Sequence, residues 1–184
     1  MRKLLVCLLC LGLMVGCVVK KETPTSATET YLKEVKAKVN DELLNEYKEL
    51  EEFELTGDLI KKLSDFSYKV VKEEINDKTA TVDVEFTTYD FGKAFTVAFP
   101  EALYYSFTAS LSGIDEATIT EEISKIFVEE FNKAEKNFKA TVTLILSQDE
   151  NNKWVIEENK DLQNVVTGNL MKTVEDLNAS FNPQ

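Results

Sequence analysis

The chain has 184 residues, 43% of them hydrophobic, which is ordinary for a folded domain and too apolar for a disordered one. Its 33 acidic residues outnumber 21 basic ones, giving a formal charge of −12, and it carries three Cys and no His. That composition excludes histidine-based triads, histidine general bases and the common zinc sites, and it sets the chain against nucleic acid.

Residues 1–16 read as an export signal. Arg2 and Lys3 supply a positive start, Leu4 to Val15 an uncharged apolar core, and Gly16 precedes Cys17. As a helix that core spans only about 18 Å, short of the roughly 30 Å of hydrocarbon a permanent span must cross, so cleavage is expected. Met14-Val15-Gly16-Cys17 resembles the lipobox of bacterial lipoproteins, with Met14 where that family prefers Leu. The resemblance implies a diacylglyceryl group on the Cys17 thiol and cleavage just before it. The blander alternative is an ordinary secretory signal with an incidental Cys.

Cleavage would remove Arg2 and Lys3 but no acid, taking the formal charge to −14. Cys7 and Cys10 would leave with the signal, so the mature chain would hold no free thiol, no disulfide and no thiol nucleophile. Two acyl chains, at about 0.8 kcal/mol per buried methylene, make a stable anchor. The expected address is therefore extracytoplasmic, lipid-anchored to the bacterial membrane. The acidic body would stand off anionic headgroups, so lipid contact would run through the anchor alone. Residues 17–28, the lipidated Cys and a polar stretch around Thr23-Pro24-Thr25-Ser26, read as a tether reaching at most about 35 Å. Residues 29–184 then form the domain.

Ser26 and Glu29 have the spacing of a capping box, and Leu32, Val35, Val39, Leu43, Tyr47 and Leu50 follow on one helical face. A brief helix is expected over Asp58 to Ser64. Phe66, Tyr68 and Val70, then Ala80, Val82, Val84 and Phe86, alternate with polar residues around an Asn76-Asp77-Lys78 turn, predicting a hairpin. The doubled Val70-Val71 shifts the phase and predicts a bulge that bends the sheet. Phe91 to Leu111 is apolar and helix-like, with Pro100 as an interruption. Beyond Gly113, Asp115 or Thr118 can cap a helix with Ile119, Ile123, Phe127, Phe131 and Ala134 on one face. Phe138 to Leu146 and a short strand at Trp154 to Ile156 form a second hairpin. A terminal helix through Leu162, Val166, Leu170, Val174 and Leu177 is weakened or divided at Gly168. The order predicts a single α+β domain, a curved antiparallel sheet of about four strands packed against several helices on its concave face.

Three features carry a further resemblance: the lipobox with its short tether, the hairpin running into Tyr89-Asp90-Phe91-Gly92-Lys93-Ala94-Phe95, and the late Trp154-Val155-Ile156 strand. On them, Leu32 to Gly168 resembles the uncharacterised domains of small Gram-positive lipoproteins in the nuclear-transport-factor-2-like, cystatin-type cone superfamily. The resemblance implies a fold that hosts enzymes, ligand carriers and dimerisation modules alike, so it constrains activity little.

Chemistry-bearing residues are sparse. No cofactor or metal is expected: Asp149-Glu150-Asn151-Asn152 lacks a calcium loop's Gly and reads as a turn, and the acids around Glu49 to Glu54 amount to a weak cation-attracting surface. Asp90 ends a strand where a cone would open; its plain role is a helix N-cap and its functional one a site carboxylate. Tyr68, Tyr89, Tyr104, Tyr105 and Trp154 have the apolar body and polar tip that suit pocket walls, against the plain reading of core packing. Adjacent Tyr104 and Tyr105 cannot both face one interior. The leading expectation is a non-enzymatic binding domain with a small or apolar ligand between the sheet and the Phe91 to Leu111 segment. The alternative is a cell-envelope protein-interaction module in which that segment docks on a partner and no pocket exists. A third reading is an enzyme built on Asp90 and nearby Tyr residues.

Overall fold

A computed structural model describes residues 22–47, 59, 61–62 and 65–181. The signal segment, Cys17, Leu50 and the acids from Glu49 to Glu54 lie outside the described residues. Helix α1 runs Pro24–Tyr47. Its start is capped earlier than the Ser26–Glu29 spacing predicts: Thr23 N donates to Ser26 Oγ at 2.9 Å and Ser26 N to Thr23 Oγ1 at 3.1 Å. The box is thus Thr23 with Ser26, and Pro24 takes the first helical position, where its missing N–H costs nothing. Pro24, Ala27 and Thr28, assigned from sequence to the tether, are buried with Leu32. Of the brief helix expected over residues 58–64, Leu59, Lys61 and Lys62 are described and helical.

The sheet has four antiparallel strands in sequential order, β1 (Ser67–Asn76), β2 (Thr79–Thr88), β3 (Phe138–Gln148) and β4 (Trp154–Ile156). The register of β1 on β2 slips between Val70 and Lys72, the bulge that the doubled valine predicts. Past it, Glu73 and Ile75 take over the face that Tyr68 and Val70 occupy before it, so Glu73 can accept from Thr25 N and Oγ1 at 2.8 and 2.6 Å. That carboxylate ties the positive end of α1 to the sheet. Val82, Val84, Phe86, Val142, Leu144 and Leu146 are all but fully buried on one face, under α1 and the helix α4 (Lys160–Val166). The other face is wet, with Thr143 Oγ1 donating to Asp83 Oδ1 at 2.7 Å across β2 and β3. The fold is α+β, as the order of elements predicts.

Between β2 and β3 the chain leaves the end of the sheet as a helical hairpin, α2 (Phe91–Leu111) and α3 (Glu116–Lys133). Asp90 N donates to Glu135 O at 3.0 Å and closes its neck. Pro100 does not interrupt α2: the helix is continuous, with Pro100 exposed on its outer side. Packing on the inner side explains this, since Ala94, Ala98, Ala102 and Ala109 are buried and let α3 approach closely. Phe95 stacks on Phe99 and Phe127 at 5.6 and 5.5 Å, and Phe91 meets Phe131 at 5.5 Å. The ring contacts of Phe91, Phe95 and Phe99 before Pro100 and the burial of Ala102 and Ala109 beyond it offset the lost backbone bond. A Schellman turn ends α2, with Gly113 at φ 75° and bonds from Gly113 N to Ser110 O and from Ile114 N to Ala109 O.

The terminal helix is divided as its glycine predicts, into α4 and α5 (Leu170–Phe181), by Gly168 at φ 59° and Asn169 at φ 64°. This break brings the chain against the hairpin's base: Gly92 N donates to Gly168 O at 2.8 Å, and a Cβ on Gly92 would lie 2.6 Å from Thr173 Oγ1. Helix α2 therefore packs on α3 and α5, not over the sheet.

Candidate functional site

The residues singled out from sequence fall in three separate places. Tyr68 belongs to the core at the sheet's β1 edge, its ring 6.3 Å from both Phe66 and Phe86 and its hydroxyl donating to Glu29 O at 3.4 Å. Burial, and then the Glu29 charge, push its phenol above the usual range. Trp154 is buried where β4 begins, in the same core.

Tyr89, Asp90 and Tyr105 belong to the hairpin. Tyr89 stands at its neck with the Lys62 and Lys136 ammoniums 5.2 and 5.9 Å from its ring centroid. Lys136 also pairs with Asp65 at 2.7 Å, and Lys62 Nζ donates to Asn132 O. These contacts spend the cations on structure: they pin the end of α3 to the chain entering β1. Asp90 is the N-cap of α2, its Oδ1 accepting from Lys93 N at 2.9 Å. It also lines an open cleft of about 220 Å³ with Lys93, Val97, Glu130, Lys133 and Asn137. One Lys133 donor is already held by Glu130 at 2.6 Å. Tyr105 is half-buried.

Tyr104 lies on the outer side of α2 and is 71% exposed. The helical turn that sends Tyr105 inward sends Tyr104 away from the sheet, so Tyr68, Tyr104 and Trp154 line no common space. What surrounds Tyr104 instead is a run of large apolar side chains open to solvent: Val97 at 51%, Leu103 at 56%, Phe107 at 65%, Leu111 at 74% and, in the following turn, Ile114 at 39%. Along α2, Val97, Pro100, Tyr104, Phe107 and Leu111 alternate spacings of three and four, and Ile114 follows past the Gly113 turn. That spacing is the seam pattern of paired helices. Charge is absent from the seam, since α2 carries only Lys93 near its start and Glu101 on its flank.

The sequence shows the segment as apolar and sets it either over the sheet around a ligand or against a partner, without deciding which of its sides packs inward. Residue volume was the discriminating signal. The alanines at 94, 98, 102 and 109 mark the tightly packed side, and the larger residues at 97, 104, 107 and 111 mark the other.

Among the described residues no helix is long and apolar enough to cross a membrane. No protein-family model matches the chain, and no curated protein matches it. Among solved structures it is similar to the crystal structure of a "putative lipoprotein" (YcdA) from Bacillus subtilis, with a TM-score of 0.40 and 10% identity. The match covers 79% of this chain and 49% of that protein, so the chain spans about half the length of its structural neighbour.

Proposed function

We propose that the protein is a non-enzymatic docking module of the bacterial cell envelope, held outside the membrane by lipid on Cys17 and engaging a protein partner through the outer side of α2. The observation that carries this reading is the uncharged stripe of Val97, Leu103, Tyr104, Phe107, Leu111 and Ile114 on a helix that packs on α3 and α5 instead of the sheet. A folded domain ordinarily keeps contiguous exposed apolar patches to a few hundred Å² at most, because water penalises them. Among the described residues, projection of the hairpin from the end of the sheet leaves this face uncovered, while the outer sheet face exposes Ile145 and Val155 beside the polar Asp83, Glu85 and Thr143. The cone-superfamily resemblance of residues 32–168 is compatible with this role, since such domains include dimerisation modules.

The test is in cells. A photo-crosslinker at Phe107 should trap a protein neighbour, and Leu111→Lys should abolish the adduct while leaving the melting temperature within a few degrees. An unchanged adduct pattern with the charged variant refutes docking through this face. Cys17→Ser should release the chain from the membrane fraction; retention there refutes the anchor.

A small-molecule reading is favoured by a different observation, the cleft beside Asp90. Its lining of Lys93, Lys133, Asn137, Glu130 and Glu135 suits a small polar or zwitterionic molecule better than an apolar one. A thermal-shift screen of such compounds, with Lys93→Ala as control, tests it. Enzymatic use of Asp90 has less support, because one carboxylate oxygen is engaged in capping α2.

A further inference from the structure

Resting on the docking reading, we infer that the partner of the α2 stripe is a second copy of this chain, with the two α2 helices antiparallel about a two-fold axis between Tyr104 and Phe107. Three observations on the stripe converge. The first is its period: along α2, Val97, Pro100, Tyr104, Phe107 and Leu111 alternate steps of three and four, which holds a seam against one straight helical partner, and Ile114 in the turn beyond Gly113 stands at the seam's end. In the antiparallel register Val97 meets Ile114 of the other copy, Pro100 meets Leu111, and Tyr104 meets Phe107. Every layer then pairs a larger side chain with a complementary one, and the contact is self-complementary, as a two-fold interface must be.

The second is area. At the exposures given above, and about 200 Å² for a large side chain, Val97, Leu103, Tyr104, Phe107, Leu111 and Ile114 present roughly 700 Å². A stable dimer buries about 800 Å² on each partner, so the stripe with its immediate rim is the size of a complete interface.

The third is charge. In a chain with formal charge −12, most faces would set acid against acid if two copies met. The stripe avoids this, and the antiparallel register places Glu101 opposite Ser110 of the second copy. It also sets each Lys93 beside the start of the other copy's α3, where Asp115 and Glu116 stand. Attraction at both ends and an uncharged middle favour self-pairing in this register over a parallel one.

The full chain, purified in mild detergent, is examined by sedimentation and by cysteine crosslinking. Val97 and Ile114 stand at opposite ends of the stripe, with Val97 to Leu111 alone spanning about 21 Å of helix, too far for a disulfide within one molecule. A chain carrying both Val97→Cys and Ile114→Cys should therefore link into a species of twice the chain mass on oxidation, while either substitution alone should not. The unmodified chain should sediment as a dimer at micromolar concentration, and Phe107→Lys should shift it to a single chain with an unchanged circular dichroism spectrum. A strictly single chain up to 100-fold higher concentration overturns self-pairing, as does linking by Val97→Cys alone for the antiparallel register. If the chain is single yet the Phe107 photo-crosslinker still traps a different protein, self-pairing fails and docking stands. If it is single and binds phosphatidylcholine vesicles through the same residues, both fail in favour of a lipid surface.

Discussion

Two glycines with similar backbone angles offer a controlled measure of how the hairpin is held. Gly168 sits at φ 59° and Gly113 at φ 75°, both in the left-handed region. An alanine at either position pays about 1–2 kcal/mol for that conformation. Their surroundings differ. A Cβ on Gly113 meets nothing within 4 Å, whereas on Gly168 it would lie 2.0 Å from Tyr89 O and 3.1 Å from Phe91 N. The Tyr89 carbonyl has little room to retreat, because the adjacent peptide is bonded to Glu135 O and Gly92 N is bonded to Gly168 O itself. Forced overlap of this kind costs about 1–3 kcal/mol more. Gly168→Ala should therefore destabilise by about 2–5 kcal/mol, or roughly 10 °C in melting temperature for a domain this size, and Gly113→Ala by only the conformational part. Urea unfolding of both variants, with m-values compared to check the transition, reads the difference. Equal losses would refute the claim that close approach at the neck, and not backbone angle alone, requires glycine at 168.

Asp90→Ala should cost about 1 kcal/mol through loss of the α2 cap, and Asp90→Asn far less; equal losses in thermal melts would argue against capping as its structural role. Thr28 and Thr88 are buried with hydroxyls that find no partner among the described residues, so Thr28→Val and Thr88→Val should each be neutral or stabilise by up to about 1 kcal/mol. A loss of that size in urea unfolding would contradict it. Asp115 is held below the usual carboxylate range by the Thr118 N–H and hydroxyl, and Asp149 by the N–H groups of Lys153 and Asn151. With folded pKa values below the unfolded ones, their stabilisation is complete above about pH 4 and is lost as pH falls through the folded values. Melting temperature should fall on that acid limb, and Asp115→Asn should make the limb shallower; an unchanged limb would exclude this cap as a contributor.

The sheet was readable because its signals are local and redundant. Strict alternation from Ala80 to Phe86 and from Val142 to Leu146 fixes which side chains turn inward, and the doubled valine at 70–71 fixes the bulge. Gly168 marks a helix break by the same local logic. The start of α1 was harder, because Thr23-Pro24-Thr25-Ser26 offers several hydroxyls and composition alone resembles a linker. Burial of Pro24, Ala27 and Thr28 comes from tertiary contact, and the bond from Thr25 to Glu73 spans 48 residues of sequence. The aromatic set was legible as residues but not as a site. Tyr68 and Trp154 owe their places to sheet register, and Tyr104 to the direction in which the hairpin leaves the sheet.

Helix α2 shows why that direction escapes a hydrophobicity pattern. A helix with one apolar face declares its core side, because the other face is polar. Residues 91–111 are apolar nearly all round, so period alone gives no preference between sides. Side-chain volume decides. Against a neighbouring helix at 8–10 Å between axes, the alanines at 94, 98, 102 and 109 let the Phe95, Phe99 and Phe127 rings fill the space between α2 and α3. Packing the other side inward would put Tyr104, Phe107 and Leu111 where those rings now sit and force the helices apart. The larger residues are therefore left outside by the inner packing, and their exposure is set by the α3 sequence as much as by that of α2. It follows that filling the inner side should not bury the outer one: Ala98→Leu should loosen the α2–α3 contact and lower stability by about 1–3 kcal/mol. The outer stripe should remain reactive to partner crosslinkers in any molecules that stay folded.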